Sequence, residues 1–254
     1  LVSLLAAHTW AIPSNTQEEV PDVSLYDHLR TTAAIASCLY LASESQEQPR
    51  QPAQGGEPFV LAVGDVSGIQ DYIFQIYSGE GVPGVARRLR ARSLFVQLVS
   101  EVVPLRILQE FGLSPANVLM SSGGKFYLLL PNLENAGQRL AEMQREVDGW
   151  FLGELRGSLG LNLAWIPFGE DGMGHGFGAV LKKVMDQLAV RKEQRFRNTL
   201  VTASPPPGRK ESAWNEGAFV FPPFDSGDSL CPSCRKFGRA GDAEPCPLCA
   251  RDGE

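Results

Sequence analysis

Two close pairs of cysteines, Cys231-Pro-Ser-Cys234 and Cys246-Pro-Leu-Cys249, limit the fold of this chain more than any other feature. Eleven residues separate the pairs, and four thiols in two such pairs are what a tetrahedral Zn²⁺ with four sulfur ligands requires. Four thiolates leave no open coordination position, so the site reads as structural rather than catalytic. Pro232 and Pro247 pre-set the turn inside each pair. A redox CxxC pair or free thiols is the competing reading, disfavoured because no thioredoxin-like unit surrounds the pairs. Cys249 lies five residues before Glu254, and a metal staple placed there is expected to join this chain to a further domain.

Cys38 stands apart from the knuckles, a usage that fits a reducing cytosol rather than a disulfide scaffold. Hydrophobic residues make up 43% of the chain, enough for a packed core and too many for a disordered segment. The net charge of −6 excludes a globally basic nucleic-acid binder and leaves only local basic patches. No apolar run reaches the roughly 18 residues of a spanning helix, and no charged leader precedes an apolar stretch. A soluble cytoplasmic chain without a membrane partner is expected.

Residues 1–13 are apolar and helical in character. Ser24 caps a second helix on which Leu25, Leu29, Thr32, Ile35 and Leu39 recur at helical spacing. Residues 43–58 are polar and rich in Gln, Pro and Gly, a linker by composition. Phe59 to Val63 then reads as a buried strand ending at Gly64-Asp65, followed by a short helix from about Gly68 to Tyr77. A long helix starts near Val85; its segment Leu94 to Val103 is apolar nearly all round and is expected to be buried, with a bend at Pro104. Two strands, Asn117 to Met120 and Lys125 to Leu130, flank the tight turn Ser122-Gly123-Gly124. A helix over Leu133 to Leu155 and a strand over Leu161 to Ile166 follow, then a helix over 176–197 with a basic end. Strand, helices, hairpin, helix, strand is the order of a ferredoxin-like split unit in the α+β class, expected as an antiparallel sheet covered by helices on one face.

Three further constellations carry chemistry. Gly64-Asp65-Val66-Ser67-Gly68-Ile69-Gln70 sits where a strand opens into a helix, a place suited to phosphate, with Asp65 able to hold a divalent cation. The other reading of the same residues is a Ser67 N-cap with Asp65 stabilising the turn. The hairpin tip Ser121-Ser122-Gly123-Gly124-Lys125-Phe126 should lie beside Asp65, yet it is also an ordinary glycine hairpin. One aspartate and one lysine cannot hold a metal pair, so no catalytic residue is assigned. Arg87, Arg88, Arg90 and Arg92 open the long helix against its own dipole and need an acidic partner, within the chain, on another protein or on nucleic acid. His8, His28 and His175 are too dispersed for a metal site.

Together, Ser24-Leu-Tyr-Asp-His-Leu-Arg-Thr-Thr-Ala-Ala-Ile-Ala, Gly64-Asp-Val-Ser-Gly-Ile-Gln-Asp-Tyr-Ile-Phe, Leu89-Arg-Ala-Arg-Ser-Leu, Ser122-Gly-Gly-Lys-Phe and the paired CxxC resemble the large subunit of type III CRISPR effector complexes, the Cas ten family in its Csm form. The resemblance spans nearly the whole chain in family order. It implies the tail of a helical HD nuclease domain over 1–45, a linker over 46–57, a first cyclase-like (GGDEF-like) palm over 58–170, and a helical linker domain with the Cys₄ zinc site over 171–254. It further implies a missing second palm with a GGDD motif. The parent would make cyclic oligoadenylates from ATP with Mg or Mn and cut single-stranded DNA through its HD domain, beside other effector subunits, guide RNA and target RNA. The adjacent His-Asp of the HD site and the GGDD are absent here, while Asp27-His28 matches a late HD motif, so this chain alone is expected to be inactive. By the same resemblance Asp65, Ser67, Gly68, Ile69, Gln70 and Ser122 to Lys125 line half of an ATP pocket. The alternative is a non-enzymatic hub that contacts neighbouring subunits and RNA through its arginines.

Overall fold

The computed structural model describes residues 2–17, 20–44, 56–74, 84–202, 213–214, 231, 246 and 249–250. Within them run α1 (Val2–Thr9), α2 (Leu25–Glu44), β1 (Phe59–Ser67), α3 (Ile69–Phe74), α4 (Val85–Glu110), β2 (Val118–Ser122), β3 (Lys125–Pro131), α5 (Ala136–Leu155), β4 (Gly160–Phe168), α6 (Phe177–Glu193) and α7 (Arg197–Leu200), and then a short pair β5 (Val201–Thr202) and β6 (Ala213–Trp214). The four main strands form one antiparallel sheet in the order β2-β3-β1-β4. This is the split α+β unit that the order of elements implied.

The sheet is covered on both faces, which corrects the single helical layer expected from the sequence. On one face Val60, Ala62, Phe126, Leu128, Leu161 and Leu163 pack with residues of α4 and α5. On the other, Leu61, Val63, Leu129 and Ile166 pack with Ala34 and Cys38 of α2 and Val180, Val184 and Leu188 of α6. β1 lies at the centre, its first six residues all buried. A strand buried on both faces reads as a continuous apolar run, as Phe59 to Val63 does.

Helix α2 begins where expected: Ser24 Oγ accepts the Asp27 N–H at 3.0 Å. The buried face differs from the expected one. Ala34 and Cys38 are fully buried, whereas Leu29 and Leu39 are 44% and 43% exposed. Small side chains let the helix approach the sheet closely, and Asn117 fastens it by donating from Nδ2 to Ala34 O at 3.3 Å and to Leu129 O at 2.9 Å. Burial pushes the Cys38 thiol up to about 12, against a smaller opposing effect of its hydrogen bond with Asn117. That thiol stays protonated and packs as a small apolar group.

Helix α4 also departs from expectation. Val96, Val99, Ile107 and Leu108 are buried, but Leu94, Leu98 and Val102 are 56%, 48% and 58% exposed. It runs through Pro104 to Glu110. The hairpin turn consists of Gly123 and Gly124, both at positive φ (61° and 85°), with Ser122 paired to Lys125. A two-residue turn of that handedness matches the strand twist and favours glycine. Among the described residues no helix is long and apolar enough to cross a membrane.

Candidate functional site

The antiparallel register sets the geometry. Pairing of β1 with β3 puts Asp65 opposite Lys125, and pairing with β4 puts it opposite Asn162. Val66 donates its N–H to Gly124 O at 2.8 Å, so the end of β1 and the hairpin tip are joined by a backbone bond. Gly68 turns the chain directly from β1 into α3 with φ +86°, and its carbonyl accepts the Tyr72 N–H at 2.8 Å. Ile69 lies over Gly124, where a Cβ would stand 2.5 Å from its Cδ1. Asp65, Gly68, Ile69, Gly124 and Lys125 therefore meet at one corner of the sheet, while Ser122, Gly123 and Gln70 are exposed around it.

Two residues outside the expected set complete this corner. Lys192, near the end of α6, brings Nζ to 2.7 Å from Asp65 Oδ2, while Lys125 Nζ is 3.7 Å from Oδ1. One carboxylate thus stands between two ammonium groups, leaving net positive charge at the site. Asn162 donates from Nδ2 to Ser67 Oγ, and Ser67 Oγ lies 3.5 Å from Gly160 O. The Ser67 hydroxyl is therefore turned toward β4. Lys192 was legible only as part of a basic helix end, because 127 residues separate it from Asp65 in sequence. Asn162 carried no sequence signal beyond its place in β4.

The corner rests on a buried polar layer. Arg195 donates from Nη2 to Gly157 O at 2.7 Å and lies so close beneath Gly160 that a Cβ there would be 2.4 Å from Nε. Its Nη1 is 3.6 Å from the Cβ position of Gly68. Burial lowers the Arg195 pKa and the nearby Asp148 charge opposes that shift. Asp148 is 2% exposed and accepts from Gln144 Nε2 at 2.8 Å; Gln144 also donates to Leu161 O and accepts from Leu163 N–H. Burial pushes the Asp148 carboxyl up to about 7, against smaller lowering effects of the Gln144 hydrogen bond and the Arg195 charge. Ala at Gly68 would meet both the positive φ and Ser158 O at 2.3 Å. We expect Gly68→Ala to cost about 1–2 kcal/mol of stability by denaturant titration; an unchanged midpoint would contradict this placement.

The second centre is the cysteine cluster. The sulfurs of Cys231, Cys246 and Cys249 all lie within 4.8 Å of one another and all three residues are buried. Sulfurs about 2.3 Å from one Zn²⁺ would be separated by about 3.8 Å in a tetrahedron, so the three fit a shared metal. Cys246 N–H donates to Cys231 Sγ at 3.2 Å, tying the two knuckles together. Cys234, the expected fourth ligand, lies outside the described residues. Among the described residues no comparable group of His, Asp or Glu side chains could hold a metal.

The arginines of α4 do not share one role. Arg87 and Arg90 are exposed and Arg88 is half-buried. Arg92 departs from the expected surface contact: it is 5% exposed, donates from Nη1 to Tyr72 O at 2.7 Å and from Nη2 to Cys249 Sγ at 3.6 Å. At 100° per residue, positions 87, 88, 90 and 92 scatter around the helix axis and cannot all face one side, and the helix turns Arg92 inward.

Residues 58–205 match a family described as the Csm1 subunit domain B. A protein of Thermococcus onnurineus (strain NA1) named CRISPR system single-strand-specific deoxyribonuclease Cas10/Csm1 (subtype III-A) is 32% identical over 248 residues, covering 91% of this chain and 31% of that protein. Its namesake from Mycobacterium tuberculosis (strain ATCC 25618 / H37Rv) is 28% identical over 274 residues, covering 98% of this chain and 32% of its own length. The chain spans about a third of the length of the curated relatives it matches. A solved Csm1-Csm4 cassette in complex with one ATP is similar with TM-score 0.68 at 32% identity, over 78% of this chain and 27% of that chain. The cassette in complex with cA4 gives TM-score 0.67 at the same identity and coverage.

Proposed function

The chain belongs to the Cas10/Csm1 family, the large subunits of type III-A CRISPR complexes, and from this we propose that it supplies the non-catalytic half of an ATP pocket. The observation that carries the reading is the bracketing of Asp65 by Lys125 and Lys192 beside the Gly124 hairpin. Two cations on one carboxylate leave positive charge for a triphosphate at a corner where the exposed Gly123, with open space at its Cβ position, lets it approach the backbone. Ser67, Gly68, Ile69, Gln70 and Ser122 to Gly124 form the rim, and Asn162 holds Ser67 in place. ATP with Mg or Mn would bind between this rim and a second palm carrying the catalytic carboxylates. Asp65, already engaged by two lysines, then acts as their anchor rather than as a metal ligand.

The domain division follows the same reading. Residues 58–170 form the palm and 171–254 the linker domain with its zinc, held by Cys231, Cys234, Cys246 and Cys249. Residues 1–45 belong to the HD domain, whose cut of single-stranded DNA would lie in the remainder of the subunit. Since α2 and α6 pack on the palm's second face, these three parts would be mechanically continuous. The parent subunit would work beside a Csm4-like protein, guide RNA and target RNA in the cytoplasm.

Activity provides the test. This chain incubated with ATP and Mn²⁺ is expected to make no cyclic oligoadenylate, while the full-length subunit does. Product from the chain alone would overturn the assignment of this half as silent. Exposed Arg87 and Arg90 favour a second reading, a hub that contacts RNA; binding of RNA that weakens steeply with salt would support it.

A further inference from the structure

We propose that Arg92 is an outer-sphere residue of the cysteine metal site and couples that site to the nucleotide corner. A guanidinium buried to this degree needs compensation for its lost hydration. Among the described residues its guanidinium donates to the Tyr72 carbonyl at 2.7 Å and to the Cys249 sulfur at 3.6 Å. It also lies over the Tyr72 ring, 5.2 Å from the centroid. A Zn²⁺ with four thiolates carries a net charge of about −2, and a buried cation donating to one sulfur offsets part of it. Partners of this kind orient ligands and tune metal affinity.

The route from metal to corner is short. Arg92 holds the carbonyl of Tyr72, and Tyr72 N–H holds the carbonyl of Gly68 at 2.8 Å. Tyr72 is further fixed by Phe95 at 5.8 Å between centroids, and Phe95 by Trp150 at 6.1 Å. The planar fork of Arg reaches sulfur and carbonyl together, which the single ammonium of Lys cannot do. Filling the metal site therefore fixes Arg92, and Arg92 fixes α3 and the Gly68 turn. The coupling rests on the nucleotide reading above; the outer-sphere role does not.

The experiment uses the full-length subunit with Co²⁺ in place of Zn²⁺, as wild type, Arg92→Lys and Arg92→Ala. Arg92→Ala is expected to keep one metal per chain but to move the sulfur-to-cobalt charge-transfer band to longer wavelength. Metal loss to a chelator should accelerate about tenfold or more. ATP affinity should fall several-fold, and Arg92→Lys should recover the band position better than the ATP affinity. If Arg92→Ala does not fold, Arg92→Lys alone carries the comparison, with faster chelation than wild type expected. Identical spectra and release rates in every folded variant would overturn the outer-sphere role. A moved band with unmoved ATP affinity would overturn the coupling. Failure of the wild type to bind ATP would instead strike at the nucleotide pocket and leave the metal result readable.

Discussion

Alanine at both Lys125 and Lys192 in the full-length subunit should raise the Kd for ATP about a hundredfold while leaving adenosine binding nearly unchanged. The two ammonium groups stand 3.7 Å and 2.7 Å from the same carboxylate. Charge-assisted hydrogen bonds contribute roughly 1.5–3 kcal/mol each when protected. These side chains are 30% and 43% exposed, so solvent screening brings each contact to about 1.4 kcal/mol, or tenfold. Lys125 and Lys192 share the Asp65 carboxylate, so the two single variants should be coupled and their free-energy effects should not simply sum to that of the double variant. Equal weakening of ATP and adenosine would mean that the lysines do not face phosphate. Asp65→Asn separates anchor from metal ligand: with the lysines released from a carboxylate, ATP affinity should hold or rise, whereas loss of a Mg²⁺ ligand would lower it.

A second large effect is expected from Asp148. The folded protein holds its proton with a pKa of about 7, against an ordinary value of 3.8. The folded state therefore binds this proton more tightly than the unfolded chain does. Stability from this group is present at low pH and is lost as pH rises through about 7. Asp148→Asn removes the titration and keeps an acceptor for Gln144 Nε2. The variant's stability relative to wild type should improve by about 2–3 kcal/mol between pH 5 and pH 8, measured by urea titration at both. A pH-independent difference would show that Arg195 fully compensates a permanently charged Asp148.

Much of this arrangement was legible in the residues. The Gly123-Gly124 turn, the β1 run and the order of elements led directly to the sheet and to the corner shared by Asp65 and Lys125, because each is set by local backbone rules. The second helical layer was not read, although β1 carried its sign: a half-exposed strand alternates, and Phe59 to Val63 does not. Helix α2 is legible from its cap and its repeat, but its contact with the sheet uses the fully buried Ala34 and Cys38 rather than the large apolar residues of that repeat. The roles of Lys192 and Arg92 are not legible in the sequence, and for the same physical reason. Their roles arise from tertiary contacts across more than a hundred residues, to Asp65 and to Cys249, and no local pattern records such pairs.

The claim that this chain forms half of a shared pocket is tested most directly by calorimetric titration of ATP into the chain alone and into the chain mixed with the second palm. Weak binding alone and at least a hundredfold tightening with the second palm, lost in the Lys125→Ala and Lys192→Ala double variant, is the predicted result. Equal affinity with and without the second palm, or tightening that ignores both lysines, would contradict it.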